Sequence, residues 1–215
     1  MADIVRRPSF LPPLALVMLC FLAMWIVIVQ RVGAERIVTN TMMKNPRVAE
    51  MPLEQREDMI ERAAGLMTFT LYGGAIVGPA LGMLLIAGVL LVMANFVLAG
   101  EATYSQLMAV TAYSMAPACI MAALATFVVF FKDPADVDIE NLLLSNLGAL
   151  VDPSSHPVLH RLLYSIDVFS FWQIALLAAG VAAATRFRFK TGLMAVGVPW
   201  GLYVLASVGL RALFS

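Results

Sequence analysis

The sequence predicts an all-α polytopic membrane protein, a bundle of five transmembrane helices with amphipathic interfacial helices in the connections 31–65 and 132–165. Three observations carry that expectation. Hydrophobic residues make up 61% of the 215 and charged residues only 13%, against about 45–50% and about 25% in an ordinary soluble domain. The mean hydropathy is +0.88. Apolar runs bounded by charge recur five times at the length a spanning helix needs, about 20 residues for a hydrocarbon core of about 30 Å. A soluble enzyme domain, a disordered tail and a nucleic-acid-binding module are excluded on these grounds. The 14 Lys+Arg balance 14 Asp+Glu, so no net field selects a polyanion and no nucleic acid is expected as a partner.

The spans are expected at about 11–30, 69–98, 104–131, 166–185 and 191–210 of a single transmembrane domain, 1–215. The first lies between Arg6-Arg7 and Arg31. Val32-Gly33-Ala34 after it imitates a secretory cleavage site, but the apolar core is longer than a signal core, so an uncleaved span is expected. The second lies within the charge-free block Leu66 to Gly100, roughly 50 Å as one straight helix at about 1.5 Å per residue. That is too long for one perpendicular crossing and too short for two, so one long helix is expected, tilted or kinked, with its first turns outside the lipid. An odd number of spans puts the two ends of the chain on opposite sides.

Lys and Arg in short flanks resist translocation. Arg6 and Arg7 on the N-terminal tail, and Arg186, Arg188 and Lys190 between spans four and five, fall on the same side with five spans. We take that side as the cytoplasm of a bacterial inner membrane, with the C-terminus opposite. Connection 31–65 also carries Arg31, Arg36, Lys44, Arg47, Arg56 and Arg62, matched by six carboxylates.

Connection 31–65 reads as two helices broken at Lys44-Asn45-Pro46, because proline disfavours helical geometry in the residue before it. Pro52 suits a first helical position, and Glu54, Glu57 and Asp58 favour the positive end of the dipole. Leu53, Ile60, Ala63, Ala64 and Met67 recur at helical spacing, so an amphipathic helix feeds span two. Asp58 and Arg62 are an i,i+4 pair. Such a helix rests on the bilayer or bundle, or docks a partner. Connection 132–165 opens with Asp133, Asp136, Asp138 and Glu140, a solvated acidic loop or a calcium site without the glycine and spacing of a helix-loop-helix calcium loop. A short interfacial helix is expected over 141–150. His156 and His160 have a metal-ligand spacing, but Pro157 separates them and no third ligand is near, so no metal is assigned. Cys20 and Cys119 lie in apolar runs and read as small buried hydrophobes.

Inside the spans, Gly74, Gly78 and Gly82 repeat every four residues, a helix-packing face that lets another backbone approach closely, within the monomer or between protomers. Pro79, Pro117 and Pro199 are expected helix kinks. No charged side chain lies deep in a span, which argues against a coupled pump or ion transporter. Asn95, Tyr113, Ser114 and Asp167 are the candidates for a polar groove, and Asp167 also suits a helix start. No catalytic motif is present, so no catalytic residue, enzyme activity or cofactor is assigned.

Several stretches together resemble a bacterial member of the Yip family, the Ypt/Rab-interacting multispan membrane proteins. They are Tyr104-Ser105-Gln106-Leu107 leading to Val110-Thr111-Ala112-Tyr113 and Ala116-Pro117; Phe131 to Asp136 with Asn146-Leu147-Gly148; Ser165 to Trp172; and Pro199 to Val204. The resemblance runs from about residue 12 to the end. It implies five transmembrane helices, a cytoplasmic N-terminus and a non-enzymatic role. Eukaryotic members are associated with prenylated Rab GTPases, vesicle traffic and membrane shaping. With only about ten residues before the first span, docking of a Rab-type GTPase is not expected here.

Two functions follow from this reading. One is a membrane-organising scaffold whose partners are lipids, a second copy of the chain or another membrane protein. The other is a small transporter, channel or lipid-handling protein with a groove lined by Asn95, Tyr113, Ser114 and Asp167. A membrane-depth cavity on which those side chains converge would favour the second.

Overall fold

A computed structural model of the chain describes residues 1–43, 48, 50–139, 142–152 and 155–213. It is all-α, and among the described residues the nearest approach to a sheet is an isolated antiparallel bridge between Asn146 and Asp167. Five helices are long and apolar enough to cross a membrane: Leu11–Val32, Leu53–Val97, Tyr104–Phe131, Val168–Thr185 and Phe189–Leu213. The protein is an integral membrane protein.

In chain order the helices are α1 (Ala2–Arg6), α2 (Leu11–Val32), α3 (Ala34–Met42), α4 (Leu53–Leu91), α5 (Tyr104–Ser114), α6 (Ala116–Phe131), α7 (Pro157–Tyr164), α8 (Val168–Thr185) and α9 (Phe189–Leu213). Helix α4 continues as a π-helix over Val92–Val97. The amphipathic helix and span two are thus one element of 45 residues, about 67 Å at 1.5 Å per residue. As a contour length that is roughly twice the hydrocarbon thickness, more than one perpendicular crossing needs. Pro52 lies one residue before the helix, and its carbonyl accepts the Arg56 N–H at 3.0 Å. Pro79 and Pro199 lie inside α4 and α9. Span three is interrupted at Met115, between α5 and the α6 turn that holds Pro117.

The chain packs into two compact units, with three of the four boundaries inside helices. The first comprises Met1–Val17, Ala80–Met121 and Leu143–Ser215. At its centre is α5, whose Leu107, Ala109, Val110, Thr111, Ala112 and Ser114 are all buried. α5 packs against α8, α8 against α9, and α1 rests on both α5 and α8. Among the larger side chains the contact surfaces carry small ones, Ala109, Ala112, Ala178, Gly180 and Gly192, which let membrane helices approach closely where no hydrophobic drive separates helix from lipid. Thr103 and Gln106 form a reciprocal capping box that starts α5.

The second unit comprises Met18–Pro79 and Ala122–Leu142. Here the Arg31 guanidinium donates to the Phe130 carbonyl at 2.8 Å and lies 5.4 Å from the centre of the Phe130 ring. Arg62 pairs with Asp58 at 2.9 Å on the exposed side of α4. The expected break at Lys44-Asn45-Pro46 lies outside the described residues, as does Glu140 of the acidic cluster. Asp133 accepts the Ala135 N–H and caps a single 3-10 turn, Pro134–Asp136.

The helix expected over 141–150 is not what forms; its described part contracts to a 3-10 turn, Leu147–Leu150, capped by Asn146. The physical reason is a competing bond pattern. The Leu147 N–H donates to the Ile166 carbonyl and the Val168 N–H to the Ser145 carbonyl, so the backbone that would have turned into a helix is extended against the start of α8. Gly148 then lies so close to Tyr164 that a Cβ would come within 3.0 Å of its backbone.

Candidate functional site

The site is built on the α8–α9 hairpin. Asp167 starts α8: its Oδ2 accepts the Ser170 N–H at 2.9 Å and the Ser170 hydroxyl at 3.2 Å, satisfying one of the amides a helix start leaves open. Arg186, in the left-handed region at φ 59°, ends α8, and two residues later the chain turns into α9. The hairpin is tight because Gly192 of α9 sits against the Ala178 carbonyl, where a Cβ would clash. Gly180 gives Val110 of α5 the same close seat.

Between α8, α9 and the inner half of α4 lies a half-open cavity of about 420 Å³. It takes one stripe from each helix. Leu85, Ile86, Val89 and Leu90 come from α4; Ser170, Gln173, Ile174 and Leu177 from α8; Val196, Pro199, Trp200 and Tyr203 from α9. The hairpin is antiparallel, so Leu177 and Val196 lie toward its turn, while Ser170 and Tyr203 lie toward the opposite end. The cavity is therefore graded, with an apolar floor and a polar rim. At the rim Arg161 of α7 donates to the Tyr203 hydroxyl at 3.3 Å. Trp200 packs on Phe171, ring centres 5.7 Å apart. Among the described residues the half-buried Gln173 carboxamide has no hydrogen-bond partner.

None of the four residues expected in a polar groove lines this cavity. The Asn95 carboxamide is held within its own connection: Nδ2 donates to the Ala102 carbonyl at 2.8 Å and Oδ1 accepts the Ala102 N–H at 2.9 Å. Asp167 caps α8 through Oδ2, which bonds Ser170 of the lining, while its buried Oδ1 has no hydrogen-bond partner among the described residues. Ser114 is fully buried, and its hydroxyl has no partner among the described residues. Tyr113, on the same helix, is partly exposed. The lining polar groups, Ser170, Gln173 and Tyr203, are neutral, and a search for charge inside the spans passes over them. A usable signal was present all the same, because Ser165 to Trp172 and Pro199 to Val204 are two of the stretches that carry the family resemblance.

The glycine face is placed differently from a buried contact. At Gly74, Gly78 and Gly82 an added Cβ would meet nothing within 4 Å, and Gly74 and Gly78 are exposed. Among the described residues no three of His, Cys, Asp and Glu gather as metal ligands; His156 precedes α7, and His160 stacks near Tyr164.

The five spans and these motifs are matched by a family model, that of the Yip1 domain, over residues 1–210. The chain belongs to the Yip1 domain family. No curated protein and no solved structure matches it. Membership of the Yip family gives the α8–α9 hairpin and its cavity a context, since both of its helices fall within the matched region.

Proposed function

We propose that this Yip-family protein is a non-enzymatic scaffold of a bacterial inner membrane, organising the bilayer by pairing helices through the glycine face of α4. The observation that carries the proposal is the open space at Gly74, Gly78 and Gly82. Small residues at four-residue spacing let two backbones approach closely, and in lipid that packing drives association. A second copy of the chain supplies the matching face. The N-terminus, with Arg6 and Arg7, lies in the cytoplasm together with the Arg186–Lys190 turn, and the C-terminus lies opposite. Rab-type GTPases and nucleic acids have no part in this role, and it needs no cofactor or metal.

Single-molecule photobleaching in liposomes tests it. The wild type forms dimers at low protein density, and Gly74→Leu with Gly78→Leu weakens dimerisation about tenfold, the weight of about 1.4 kcal/mol. A monomeric wild type, or an unchanged dimer in the double variant, overturns the proposal.

A further inference from the structure

We propose that the α4–α8–α9 cavity binds one glycerophospholipid, with its phosphate on Arg161 and an acyl chain on the apolar floor. The inference rests on the cavity and stands apart from the glycine face. Its volume, about 420 Å³, falls within the range of small-molecule sites, about 300–1,000 Å³. All three lining helices belong to candidate membrane spans, so the molecules that reach a half-open cavity between them are those of the bilayer.

Three levels along the hairpin match the three parts of a phospholipid. At the rim, Arg161 presents a guanidinium whose hydrogen bond is to the neutral Tyr203 hydroxyl, which leaves its charge for an anion. Guanidinium and phosphate match in charge and in fork geometry. Asp167, the carboxylate at the start of α8, accepts the Ser170 N–H and hydroxyl through Oδ2, and its Oδ1 is buried without a hydrogen-bond partner among the described residues, the Arg161 guanidinium included. One turn deeper, the Gln173 amide has no partner among the described residues. An amide left without a partner in apolar surroundings costs free energy, and an acyl ester carbonyl at that depth accepts its N–H. Deeper still, Ile174, Leu177, Val196, Val89 and Leu90 present only hydrocarbon.

Native mass spectrometry in detergent, titrating phosphatidylglycerol and diacylglycerol of the same chains, tests the assignment. Wild-type protein retains one phosphatidylglycerol per chain. Arg161→Gln weakens phosphatidylglycerol about tenfold and leaves diacylglycerol unchanged, as loss of a charge-assisted hydrogen bond requires. Leu177→Phe, which fills the floor, weakens both lipids. Gln173→Leu, which leaves the helix intact and introduces no clash at the rim, also weakens both and keeps the test decisive if Leu177→Phe fails to fold. Inorganic phosphate at equal concentration does not displace the lipid. Equal phosphatidylglycerol binding by wild type and Arg161→Gln overturns the assignment. So does retention unchanged in both Leu177→Phe and Gln173→Leu, the behaviour of lipid held on the outer surface, and so does displacement by phosphate alone.

Discussion

Asn95 closes a two-bond ring on the backbone of Ala102, donating to its carbonyl and accepting its N–H at 2.8 and 2.9 Å. The ring secures the exit from the π-helix, where Ala99 is held in the left-handed region at φ 54° and the Gly100 N–H returns to the Ala94 carbonyl at 2.8 Å. Ala102 is buried, so its backbone has no ready access to water. Asn95→Leu removes both bonds and leaves the Ala102 amide and carbonyl unpaired, an expected loss of about 2 kcal/mol or more. Thermal unfolding in detergent reads the loss, and hydrogen exchange localises it to residues 98–103. Unchanged melting and exchange would contradict the structural role.

The start of α8 gives a second prediction. Asp167→Ala removes the acceptor of the Ser170 N–H and is expected to cost about 1 kcal/mol, the usual weight of an N-cap. Asp167→Ser keeps an acceptor at that position and is expected to recover most of the stability. The same melting assay separates the two, and equal destabilisation by both variants would mean that the cap is not what Asp167 contributes.

Glycines in this chain divide into those that are packed upon and those that are not. Gly192→Val places side-chain atoms on the Ala178 carbonyl and is expected to destabilise the hairpin by about 1–3 kcal/mol, the range for overpacking. Gly201→Ala, where nothing lies within 4 Å, is expected to leave the melting temperature unchanged or to raise it slightly, because alanine favours helix. A reversed order would contradict the α8–α9 packing.

Orientation is read by cysteine accessibility in a background where Cys20 and Cys119 are alanine. Ser9→Cys and Phe187→Cys are expected to react with an impermeant maleimide from the same side of the membrane, and Ala135→Cys from the other. Labelling of all three from one face would contradict the five-span arrangement.

The spans were legible in the sequence because a bilayer imposes a length and a polarity on any segment that crosses it, and both can be read without a partner segment. The Asp58–Arg62 pair and the capping role of Asp167 were legible for a related reason, since each depends on residues three or four positions apart. The cavity was not. Its walls come from positions as distant as Leu85 and Tyr203, and only the packing of α4, α8 and α9 brings them together. Asn95 misled because a polar residue in an apolar run suggests a site, whereas its partner is a backbone seven residues away. The segment before α7 misled because its leucines fit a helix equally well, and the bridge from Asn146 to Asp167 is invisible until both strands of chain are placed.

Arg186 holds two requirements that point in different directions. A non-glycine residue at φ 59° sits where glycine would rest more easily, so the mature hairpin would tolerate, and even gain from, the smaller residue. On the proposed orientation, arginine at that corner instead serves the moment of insertion, when Arg186, Arg188 and Lys190 together resist being carried across the bilayer. On that orientation the corner gives up conformational ease for a defined direction of threading, and Arg186→Gly would give a firmer resting structure with a less certain insertion.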